Sequence, residues 1–233
     1  MATARDLRPR TGAPPAREAT LTVSLPPVRL RLEPAVKKAL RACAAQLDDL
    51  GADWAIAGAT AMHAHGYSRA TRDVDLFIGD DVRPELLSRL RASGIPVTTV
   101  FSPMHYRIDP RGRIDPEASI DLLFPALGVE SLGLMAARRA QVEGVEMPIV
   151  PLEHLIALKL TTDPELDPSR YVRDQADLIA LRDRGLLDVG RVAQILEDVA
   201  DPDARARLRQ LVQDRSERVK PTRTARPKLP RRS

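Results

Sequence analysis

The chain has 233 residues and a mass of 25.7 kDa, enough to bury one sizeable core or two small ones. Aromatic residues supply only 3% of it, so packing must rest on Leu, Val, Ile and Ala, and the single cysteine, Cys43, excludes an internal disulfide and reads as a buried helix thiol. No apolar stretch approaches the roughly 18 residues that cross a bilayer, and Arg and Pro stand where a signal peptide needs an apolar segment, so a soluble, cytoplasmic protein without membrane contact is expected.

The net charge of +4 is unevenly placed. Residues 1–22 carry +2 and residues 213–233 carry +6, which leaves residues 23–212 at −4. Residues 1–27 are rich in Pro, Arg and Thr and read as an unstructured lead-in; residues 215–233 mix basic residues with Pro221, Pro227 and Pro230 and read as a disordered basic tail. Such a tail adds salt-sensitive affinity for anionic surfaces or serves only solubility.

In chain order, Val36, Leu40, Cys43, Leu47 and Leu50 recur at steps of three and four, which predicts an amphipathic helix over 33–50 ending at Gly51. A strand over 53–57 meets Gly58, a helix over 59–64 stops near His65-Gly66, and a strand follows at 72–78. Residues 82–93 suit a helix with Pro84 in its first turn and Gly94 at its end. Apolar runs at 95–101 and 104–109, a turn at 110–113, and a strand over 119–124 come next. After a strand-like segment at 145–150, helices are predicted over 151–160, 170–184, 188–199 and 202–216. Strands alternating with helices, then helices alone, indicate an α+β core over 28–150 and a helical region over 151–214.

The chemistry concentrates in two of these strands. In Asp73-Val74-Asp75-Leu76-Phe77-Ile78 the period of two sends Asp73 and Asp75 to one face, roughly 7 Å apart, and Val74, Leu76 and Ile78 to the other. In Ser119-Ile120-Asp121-Leu122-Leu123-Phe124 the same alternation isolates Asp121 from Ile120, Leu122 and Phe124. Three carboxylates meeting on one face repel unless cations hold them, so a magnesium site is expected.

Gly58-Ala59-Thr60-Ala61-Met62, Arg69-Ala70-Thr71-Arg72-Asp73-Val74-Asp75-Leu76 and Ile120-Asp121-Leu122 together resemble the polymerase β-like nucleotidyltransferase superfamily, most of all the AbiEii-type abortive-infection toxins. The resemblance covers about residues 50–185. It implies a mixed sheet with flanking helices and a helical C-terminal region. It implies two Mg²⁺ ions, with Mn²⁺ as an alternative, on Asp73, Asp75 and Asp121, and transfer of a nucleoside monophosphate from an NTP to an acceptor hydroxyl. Gly58, Ala59 and Thr60 would approach the nucleotide at a helix start. Ala59 departs from the family's Gly or Ser, and Thr60 would supply the missing hydroxyl.

Leu155-Ile156-Ala157-Leu158-Lys159-Leu160 and Arg173-Asp174-Gln175-Ala176-Asp177-Leu178 resemble a toxin-type pattern in which Lys159 counters the triphosphate and Asp174, rather than Asp177, supports catalysis. Arg69 and Arg72 either face the phosphates or offset the carboxylates, and His63 and His65 read as local structure. The acceptor class implied is RNA, a protein or a small molecule, and a toxin would have an antitoxin partner. A catalytically weakened nucleotide- or RNA-binding module is the alternative, motivated by Ala59.

Overall fold

The computed structural model describes residues 32–68, 71, 73–100, 102–109 and 119–218, the side chains of 215–218 excepted. The lead-in over 1–27, most of the basic tail, Arg69, Arg72 and the turn expected at 110–113 lie outside the described residues.

Helix α1 (Pro34–Asp49) starts with Pro at its first position and buries Val36, Leu40, Cys43 and Leu47. These are four of the five residues that the helical period selects. The Cys43 thiol is fully enclosed, and burial pushes its pKa up to about 12, so it stays protonated and inert. Strand β1 (Trp54–Ile56) follows, and Trp54 Nε1 donates to Asp48 Oδ1 at 3.0 Å. Next come α2 (Gly58–Ala64), β2 (Val74–Ile78), α3 (Arg83–Ala92), β3 (Val97–Thr99), β4 (His105–Ile108) and β5 (Ile120–Leu123). Helix α4 (Gly128–Met135) and strand β6 (Arg138–Val142) precede β7 (Val145–Ile149). Helices α5 (Leu152–Leu160), α6 (Pro168–Asp183), α7 (Val189–Asp198) and α8 (Pro202–Arg218) complete the described chain.

The seven strands form one sheet in the order β3-β4-β5-β2-β1-β7-β6. The β2–β5 and β1–β7 pairs are parallel and the others antiparallel. The molecule is therefore α+β, with a mixed sheet, flanking helices and a helical C-terminal region. Strand β2 lies at the centre, where Val74, Leu76 and Ile78 are wholly buried. Helix α5 packs on α2 and α4 as well as on α6, α7 and α8, and one apolar cluster runs from Val36 and Leu76 through Leu155 to Leu196. None of the described helices is long and apolar enough to cross a membrane.

Helix α4 and strand β6 are absent from the sequence expectation. Strand β6 is a sheet edge whose Arg138, Arg139 and Gln141 are exposed, so it lacks a long apolar alternation. Its hairpin with β7 turns through Glu143 and Gly144, both at positive φ (52° and 78°), the conformation that matches the twist of paired strands. Glu143 is not glycine, but Lys37 Nζ lies 3.0 Å from its carboxylate and Arg41 donates to its carbonyl at 3.2 Å. Helices α6 and α7 are capped by Asp167 and Asp188, which accept from the amides of Arg170 and Arg191.

Candidate active site

Strand register builds the site. Parallel pairing of β2 with β5 sets Asp75 directly opposite Asp121, and antiparallel pairing of β5 with β4 sets Arg107 opposite Asp121. Cross-strand partners share a face, so Asp75, Asp121 and Arg107 form one polar row across three strands. Asp73, two residues before Asp75, lies next to this row, half-buried. Thr71 donates its hydroxyl to the Asp73 carboxylate, and the Asp73 carbonyl accepts from Thr60 Oγ1 at 3.3 Å.

The loop between β1 and α2 closes on the same row. Ala57 N donates to Asp75 O at 2.8 Å, which places the next residue, Gly58, against the Asp75 side chain. Gly58 has φ +58°, and a Cβ there would lie 1.8 Å from Asp75 Oδ2 and 2.9 Å from its Cγ. Only a residue without a side chain allows both that backbone and that contact.

The two facing carboxylates are tuned in opposite directions. Burial, reinforced by the charges of Asp73 and Asp121, raises the Asp75 pKa to about 7, against the opposing pull of Arg170 and His105. Burial also pushes Asp121 up, but hydrogen bonds from Arg107 and His105 outweigh it and hold Asp121 below the usual carboxylate range. Arg107 grips Asp121 with two bonds, Nε to Oδ1 at 2.7 Å and Nη2 to Oδ2 at 2.8 Å, and His105 Nε2 lies 3.4 Å from Oδ2. Near neutral pH Asp121 is a charged acceptor, whereas Asp75 is held towards its protonated form. On the same face, by the alternation of β5, stands Ser119, which is fully buried with its hydroxyl unpaired among the described residues.

Asp73 and Asp75 suit a divalent ion, because two neighbouring carboxylates with one forced towards protonation gain from a shared cation. Among the described residues no group of three or more His, Cys, Asp or Glu side chains is arranged to hold a metal, and each oxygen of Asp121 accepts a bond from Arg107.

The helical residues also come together. Lys159 contacts Asp174 Oδ1 and lies 2.8 Å from Asp177 Oδ2, with all three side chains at least 89% buried. Thr162 donates to Asp174 at 2.8 Å, Tyr67 donates to Asp177 at 2.9 Å, and Arg170 lies 3.6 Å from Asp174. Lys159 is thus engaged by two carboxylates, whereas the Arg170 side chain is 53% exposed and its charge reaches Asp75. Thr60 is 3% exposed, and its hydroxyl donates to the Asp73 carbonyl at 3.3 Å. Ala59 is buried. His65 Nε2 lies 2.9 Å from the Val150 carbonyl, a structural contact.

Arg107, His105 and Tyr67 complete these two clusters without a signal taken from the sequence, and Asp177, ranked below Asp174 there, shares Lys159 with it. For Arg107 one signal was legible: in His105-Tyr106-Arg107-Ile108 the period of two sets His105 and Arg107 on one face of a strand next to an acidic one.

No family model matches the sequence, and no curated protein matches it. Solved structures do. A nucleotidyltransferase-like protein from Paracoccidioides brasiliensis is similar with a TM-score of 0.48 and 19% identity, over 78% of this chain and 89% of that one. The antibiotic-resistance factor ANT(2'')-Ia aligns with a TM-score of 0.46 and 16% identity, over 78% and 95%. The lincomycin-bound lincosamide antibiotic adenylyltransferase LnuA aligns with a TM-score of 0.42 and 11% identity, over 60% and 94%.

Proposed function

We propose that this chain is a metal-dependent nucleotidyltransferase that moves a nucleoside monophosphate from an NTP to an acceptor hydroxyl. The observation that carries this reading is the side-chain-free approach of Gly58 to Asp75, beside Asp73 and opposite Asp121. Asp73 and Asp75 hold Mg²⁺, or Mn²⁺ in its place, which when bound supplies positive charge to the phosphoryl oxygens. The turn at Gly58 and Ala59 gives the nucleotide close access to backbone amides. Arg170 faces the triphosphate, and Lys159 with Asp174 fixes the helix that carries Arg170.

The acceptor oxygen attacks the α-phosphorus, the bond from that phosphorus to the bridging oxygen breaks, and pyrophosphate leaves. Asp121 takes the hydroxyl proton. Its environment keeps it ionised, and each carboxylate oxygen has a second lone pair beyond its bond to Arg107. A toxin-type enzyme acting on RNA or a protein, with an antitoxin partner, is the narrower form of this reading and rests on the resemblance of residues 50–185.

The test is transfer of label from each α-labelled NTP, with Mg²⁺, into the components of a cell extract. The parent is expected to label an acceptor, and an Asp73→Ala, Asp75→Ala double variant to lose at least about 100-fold of that activity. Equal labelling by the two proteins overturns the reading. The confinement of Lys159 between Asp174 and Asp177 favours a second reading, a binding or regulatory module without turnover. Nucleotide binding by the parent with no transfer to any component is the result that selects it.

A further inference from the structure

We propose that Arg107 is a built-in cation that takes the place of one of the two metal ions a polymerase-type site would hold, so that this chain binds a single divalent ion, on Asp73 and Asp75. The proposal rests on the nucleotidyltransferase reading above and fixes the ion count of that site.

Geometry carries it first. A second ion would need the oxygens of Asp121, and each of them already carries a bond from the guanidinium, at 2.7 and 2.8 Å, so the ion would have to stand against the Arg107 cation. This fork is the tightest way a side chain can neutralise a carboxylate. Asp121 has 8% of its side-chain surface exposed and Arg107 23%, so neither can swing into water without leaving the other's charge buried. Register makes the arrangement permanent: Arg107 and Asp121 are direct cross-strand partners inside the sheet, not members of a loop.

Charge carries it second. The guanidinium already neutralises Asp121, so the carboxylates left to attract a divalent ion are Asp73 and Asp75, and an ion at Asp121 would meet the Arg107 charge at close range. A further oxygen lies on the ion's side of the row. Ser119 is fully buried, its hydroxyl is unpaired among the described residues, and its carbonyl accepts from Val74 N at 3.0 Å, which sets it next to Asp73. A buried hydroxyl without a protein partner is costly unless a ligand uses it.

The test counts ions. Mn²⁺ is titrated into the full-length protein with equimolar, non-hydrolysable α,β-methylene analogues of the four NTPs, each in turn, and bound ions are counted by electron paramagnetic resonance. One ion per chain is expected for the parent and for Arg107→Lys, which keeps the charge, and two for Arg107→Gln, which frees Asp121. Two ions in the parent overturn the proposal while the nucleotidyltransferase reading stands, and so does a folded Arg107→Gln that still binds one. If Arg107→Gln fails to fold, the parent and Arg107→Lys counts decide. No ion and no analogue bound to the parent overturns both.

Discussion

Asp75→Asn is expected to stabilise the metal-free protein at about pH 8 by up to about 4 kcal/mol and to leave its stability at about pH 4 unchanged. The sign follows from the direction of the shift. The Asp75 pKa in the fold is raised to about 7, whereas the unfolded chain releases this proton near the ordinary carboxylate value. Between those limits the folded state binds the proton more strongly, so each step up in pH costs the parent stability, and the full penalty is in place above about pH 7. The amide has no charge to bury, so the variant escapes the penalty. Urea titrations of both proteins in chelator at about pH 4, 6 and 8 read the difference directly. A gap that stays constant with pH would show that neither burial nor its neighbours' charges hold the Asp75 carboxylate towards protonation. Added Mg²⁺ is expected to stabilise the parent and not the variant, because the ion relieves a repulsion that only the carboxylate feels.

Gly58→Ala is expected to lose at least about 100-fold of transfer activity, because displacement of a site group by about 1 Å is enough for a loss of that size. The added methyl would stand 1.8 Å from Asp75 Oδ2, and the carboxylate is short and half-buried, so either Asp75 or the start of α2 must move. The variant also carries a backbone cost of about 1–2 kcal/mol for an L side chain at φ +58°. Gly51→Ala separates the two contributions. Gly51 has φ +63°, and nothing lies within 4 Å of the place its methyl would take, so that variant pays the backbone cost alone and is expected to keep its activity. Comparable kinetic losses in the two variants would deny Gly58 its role beside Asp75.

The alternation in 73–78 and 119–124 was sufficient to place three carboxylates on one sheet face, because a period of two leaves no choice once one set of neighbours is apolar. Their meeting depends on β2 lying beside β5 in a register that joins Asp75 to Asp121, a pairing across α3, β3 and β4 that no local pattern encodes. Arg107 escaped for the same reason: a half-exposed strand residue looks like ordinary surface until its partner strand is known. Strand β6 escaped because an edge strand opening with two arginines lacks the apolar period that marks the central ones. The Thr60 hydroxyl bond to the Asp73 carbonyl is likewise invisible in the sequence, because it joins the start of a short helix to a segment thirteen residues on. Lys159 and Asp174 were both selected, yet the residues that bind them into a closed cluster, Asp177 and Tyr67, lie on α6 and just after α2, and only packing of the helical region on α2 unites them.

The most direct measurement compares one NTP labelled at the α-phosphorus with the same NTP labelled at the γ-phosphorus, in the presence of Mg²⁺ and cell extract. Carboxylates gathered beside Gly58 to transfer a nucleotide should deliver the α-label to an acceptor and release the γ-label as pyrophosphate. Delivery of the γ-label to the acceptor, or release of γ-label as inorganic phosphate with no α-label transferred, would contradict the account.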